Sequence, residues 1–139
     1  MKFYSILIPL VLLPILLEAK ISDAQIPASI QTYFQMNRLG PELISTEVLN
    51  HRQSGRAIKI NIIASRNKSA KDLAFAFAAA AAVANMAERP FELLWVEMDI
   101  NFRGAETTVA LAPANCTIDA LIIGNCETEK WWKDCLQFP

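Results

Sequence analysis

The chain has 139 residues, with 13 basic and 14 acidic side chains, one histidine, three cysteines and four glycines. That length holds one domain, and a net charge of −1 excludes a general nucleic-acid binder, which needs a basic surface to displace counterions from phosphates. The hydrophobic fraction of 53% is high, but much of the excess lies in the first 17 residues and in one alanine-rich run.

The N-terminal segment reads as an export address. Lys2 is followed by an apolar run from Phe3 to Leu17, broken by Ser5, Pro9 and Pro14 and closed by Glu18. That run is shorter than the roughly 20 residues of a membrane span. Ser22 and Ala24 have the spacing of small residues before a signal-peptidase site. The expected organisation is a cleaved signal over residues 1–24 and one α+β domain over 25–139. The remaining length of about 115 residues buries roughly two thirds of its unfolded surface. An exported protein, periplasmic or secreted, is expected, with no membrane span after signal removal.

Pro27 to Leu39 places Ile30, Tyr33 and Phe34 on one face at helical spacing, and Gly40-Pro41 stops the helix. Leu43–Asn50 and Ala57–Ser65 alternate as strands around a turn cluster at Arg52–Gly55, which predicts a hairpin. Ser69-Ala70-Lys71-Asp72 has the form of a capping box. It opens a helix running through Leu73, Phe77, Ala78–Ala82 and Val83 to Arg89-Pro90. This helix is apolar nearly all round, as a core helix would be; an oligomer face is the alternative use of its small residues.

Phe91–Phe102 and Ala105–Ala112 both alternate. A two-residue turn at Arg103-Gly104 pairs Phe102 with Ala105, Ile100 with Thr107, Met98 with Val109 and Val96 with Leu111. The opposite face then carries Trp95, Glu97, Asp99, Asn101, Glu106 and Thr108. Thr117–Ile123 is either a last strand or a helical turn, and Glu127–Leu136 reads as a short helix with charges suited to its dipole. These elements predict an antiparallel sheet of four to five strands, built from two hairpins around the central helix, with helices on one face.

Cys116, Cys126 and Cys135 lie at spacings that form no CxxC motif. In an oxidising compartment two are expected to pair. Cys126–Cys135, flanking one short helix, is the favoured pair, with the other pairings open. The third cysteine is expected to be a small buried hydrophobe.

Chemistry-bearing motifs are sparse. His51 is the sole histidine, with no nucleophile elbow around any serine and no zinc spacing. Four glycines leave no phosphate loop. No cofactor and no metal are expected. The acidic strand face, Glu97, Asp99 and Asn101, is the place where paired carboxylates could act. Trp95 on that face, with Leu93 and Phe91, suggests an apolar partner patch. Of Trp131 and Trp132, about 100° apart on a helix, one is expected in the core and the other at the surface. The reading is a non-catalytic binding or accessory module. It contacts another envelope or extracellular protein through Trp95, Glu97, Asp99, Asn101, Trp131 and Trp132, and a homodimer is open. A secreted inhibitor and a small hydrolase using Glu97, Asp99 or Glu106 are the alternatives.

Overall fold

The two halves of the sheet are hairpins, but the helix between them makes the sheet mixed. A computed structural model describes residues 20–37, 40–53, 55–101 and 105–139. The expected signal segment lies outside the described residues up to position 19. In chain order the elements are α1 (Ile26–Met36), β1 (Glu42–His51), β2 (Gly55–Ala64), α2 (Ser69–Asn85), β3 (Leu93–Asn101), β4 (Ala105–Pro113), α3 (Ala114–Thr117) and α4 (Thr128–Asp134). The strands lie in the order β1-β2-β3-β4.

β1 and β2 pair antiparallel from Glu42↔Ile63 to His51↔Gly55, with a bulge between Leu43 and Ser45. Gly55 closes the turn at φ 77°, a conformation glycine adopts without a Cβ penalty. β2 and β3 pair parallel, from Ala57↔Leu93 to Ala64↔Ile100, which corrects the all-antiparallel expectation. The reason is α2. Its 17 residues span about 25 Å, enough to carry the chain back along the sheet. β3 therefore starts at the same end as β2, the requirement of a parallel crossover.

The core lies between the sheet and the helices. Ile58, Ile60 and Ile62 of β2 and Leu94 and Val96 of β3 are wholly buried beneath Ala76, Phe77, Ala79, Ala80 and Val83 of α2. The alanine run lets helix and sheet backbones approach closely, so it is core and not an open oligomer face. The expected capping box is absent from its proposed place. Ser69 is already helical, and the helix is preceded by a short turn over Arg66–Lys68. Buried Asp72 reaches back further, to the Ser65 backbone.

The β3/β4 hairpin forms, but one residue out of the expected register. Asn101 pairs with Ala105, Met98 with Thr108, Val96 with Ala110 and Trp95 with Leu111. A slip of one residue moves every side chain of a strand to the other face. Matching apolar to apolar residues overlooked that the helix side takes small ones. Ala110 and Ala112 are fully buried there, while Val109 and Leu111 turn outward with Trp95.

The ambiguous segment after β4 is helical: α3 continues as π-helical turns over Ile118–Ile123. Gly124, at φ 83°, ends it by donating its N–H to the Asp119 carbonyl at 2.9 Å. The disulfide joins Cys116 to Cys135, with Cα atoms 6.4 Å apart, and not Cys126 to Cys135 as expected. Cys126 sits in the loop before α4, with its thiol directed to the Glu127 carbonyl at 3.5 Å. The pairing is set by α4 docking on α3, a long-range contact that local spacing does not encode.

Candidate functional site

Among the described residues no helix covers the second face of the sheet. Its side chains form rows set by the register. Leu49, Ala57 and Leu93 make one row, and Glu47, Lys59, Trp95 and Leu111 the next. Ser45, Asn61, Glu97 and Val109 follow, and Ile63, Asp99 and Thr107 end the face. The face is thus divided into an apolar end and a polar end, with Trp95 at the boundary.

At the apolar end Leu49, Ala57, Leu93, Trp95, Val109 and Leu111 line a cleft of about 230 Å³, with Pro139 at its rim. Pro139 arrives there because Gln137 adds to the outer edge of β4. The Leu111 and Gln137 backbones exchange two hydrogen bonds of 2.8 Å each.

The polar end is braced. Lys59 Nζ lies 3.4 Å from Glu97 Oε1 and 5.0 Å from the Trp95 ring centroid, combining an ion pair with a cation–π contact. Thr107 donates its hydroxyl to Asp99 Oδ1 at 2.9 Å. Trp95 Nε1 and Asn61 Oδ1 are buried without a hydrogen-bond partner. An unpaired buried donor or acceptor costs free energy, so both atoms are a local cost of this face.

The structure brings Trp95, Glu97 and Asp99 onto this one face, and Asn101 ends the same strand opposite Ala105. It separates the other two tryptophans from them. Trp131 is fully buried, packs its ring 5.4 Å from that of Phe77 and donates Nε1–H to Thr117 Oγ1 at 3.0 Å. It is a core residue, which corrects its place in the expected partner surface. Trp132 is half-buried on the helix side of the sheet, beside Met98, Ile100 and Phe138. Phe91 also leaves the expected patch: it is buried under the Arg56 guanidinium, 4.4 Å from its ring centroid. Glu106 pairs with Ile100, which takes it off the face that carries Glu97 and Asp99.

Sequence reasoning missed Leu49, Ala57, Val109 and Leu111 as site residues. A three-residue connection at 102–104, the next most common hairpin loop, was the signal that would have turned Val109 and Leu111 outward.

A larger hollow of about 420 Å³ lies between α1 and the edge of β1. Gln31, Gln35, Ser45 and Thr46 mix polar groups into its walls, so it lacks the apolar character that drives burial of a partner side chain. Among the described residues no group of three or more His, Cys, Asp or Glu could hold a metal ion, and no helix is long and apolar enough to cross a membrane. Comparison with protein-family models, curated proteins and solved structures finds no match to this chain.

Proposed function

We propose that this protein is an exported, non-catalytic binding module that seats an apolar side chain of another extracellular or envelope protein in the Trp95 cleft. The observation that carries this reading is the apolar cleft beside half-buried Trp95, which the described residues leave uncovered. A cleft of about 230 Å³ is smaller than the roughly 300–1,000 Å³ that enclose a drug-sized ligand. It suits one large apolar side chain of a partner. Interface energy concentrates in such aromatic pockets. The Cys116–Cys135 disulfide supports export, since such bonds persist in oxidising compartments. The carboxylates favour the same reading over hydrolysis: Glu97 is engaged by Lys59 and Asp99 by Thr107, which makes them structural braces of the rim.

The test is capture from the exported fraction of the source cells, with wild-type, Trp95→Ala and Val109→Lys chains as bait. A stoichiometric partner bound by wild type and weakened about thirtyfold or more by Trp95→Ala, the loss expected of a central aromatic anchor, supports the reading. A partner that both variants retain in full overturns it.

A further inference from the structure

The two edges of the sheet are treated differently. β4 is bridged at Leu111 by the chain's own Gln137. β1 pairs only with β2 among the described residues, so one side of its backbone is left unpaired over Glu42–His51. Edge strands in soluble proteins are usually guarded by lysine, proline or a bulge. β1 contains no lysine and no proline, and its bulge lies at the far end, between Leu43 and Ser45. Among the described residues Glu47–His51 is a regular edge with no bulge, and Glu47 is its one carboxylate. The apolar row Leu93–Ala57–Leu49 runs out at this edge, where Leu49 is the last wall of the Trp95 cleft.

We infer that the occupant of this edge is a second copy of the chain, paired antiparallel through β1 about a two-fold axis at Leu49. This goes beyond the partner reading and does not depend on it. A two-fold normal to the sheet keeps each face on its own side, so residues directly opposite must share a face. Centring on Glu47 would set two carboxylates against each other, which is destabilising. Centring on Thr46 runs the ladder into the bulge. Centring on Val48 sets Leu49 against glutamate. Centring on Leu49 places leucine against leucine on the cleft side and Glu47 opposite His51 of the second copy. The row then continues unbroken across the axis as Leu93–Ala57–Leu49 followed by its mirror order in the second copy. The result is an eight-stranded sheet. Its two Trp95 clefts open on the same face, five strand spacings or about 24 Å apart, which makes the assembly bivalent.

Sedimentation velocity on the chain from Lys20 onward, in a Cys126→Ser background, reads the mass directly. Wild type is expected at twice the chain mass and Leu49→Lys at the chain mass, with circular dichroism confirming that the variant is folded. Air oxidation of Leu49→Cys is expected to cross-link the two copies, because directly opposed Cα atoms at about 4.5–5.5 Å suit a disulfide. Val48→Cys, whose copies sit diagonally, is expected to stay uncross-linked. A wild-type monomer at every concentration, a dimer that survives Leu49→Lys, or preferential cross-linking at position 48 overturns the inference. If Leu49→Lys does not fold, the cysteine pair decides alone. Partner capture by the Trp95→Ala chain is read separately, so failure of one proposal is distinguishable from failure of the other.

Discussion

Arg56 holds Asp23 in a two-pronged ion pair, with Nη2 donating to Oδ1 at 2.6 Å and Nη1 to Oδ2 at 2.9 Å. The pair clamps the segment before α1 to the start of β2. Ile21 strengthens the same junction by exchanging 2.8 Å backbone hydrogen bonds with Met86 and Glu88 at the end of α2. Residues 20–24, which the sequence pattern assigns to the cleaved signal, are therefore packed against the domain. A chain beginning at Gln25 loses both attachments and is expected to melt below one beginning at Lys20. Arg56→Ala in the longer chain should account for part of that difference, about 1 kcal/mol, because Asp23 is partly solvated. Equal melting temperatures of the two chains would refute this role.

Two carboxylates make opposite contributions to the pH dependence of stability. The Arg56 guanidinium holds Asp23 below the usual carboxylate range. Its stabilisation is present above about pH 4 and is lost as the pH falls through the folded value. Burial pushes Asp72 up, against the hydrogen bond from the Ser65 backbone and the nearby Lys68 and Lys71. It therefore costs stability as the pH rises through the carboxylate range, and the full cost stands above its folded value. Asp72→Asn keeps an acceptor for Ser65 and removes the charge. It is expected to be more stable than wild type at pH 7, with the gap closing below about pH 4. Asp23→Asn is expected to show a deficit at pH 7 that closes on acidification. Denaturant midpoints at the two pH values read both.

Thr117 is fully buried and carries two hydrogen bonds through one oxygen. It donates to the Pro113 carbonyl at 2.8 Å and accepts from Trp131 Nε1. Thr117→Val fills nearly the same volume but orphans the indole N–H, at an expected cost of about 1–3 kcal/mol. Thr117→Ser, which keeps the hydroxyl, should lose much less. A Val variant as stable as the Ser variant would show that the hydrogen bond is not needed.

Non-reducing peptide mapping is expected to link Cys116 to Cys135 and to find a single alkylated thiol at Cys126, which is half-buried. Cys135→Ser should cost about 2–4 kcal/mol, the usual loss for a native cross-link. Cys126→Ser should be close to neutral. A 126–135 linked peptide would contradict the fold of the C-terminal segment.

The sequence by itself determined the elements and the first hairpin. Periodicity places α1, both strands of each hairpin and the buried alanine-rich helix, because one face of each must meet the core. It also marked Trp95, Glu97 and Asp99 as neighbours, since alternate residues of a strand share a face. Tertiary structure decided what depends on distant partners. The length and path of α2 made β2 and β3 parallel. The small residues needed under the helical layer shifted β4 by one position and turned Val109 and Leu111 toward Trp95. The docking of α4 on α3 chose Cys116 over Cys126 and sent Trp131, not Trp132, into the core. Local pattern states which residues seek burial; which neighbour buries them is settled only when the layers pack.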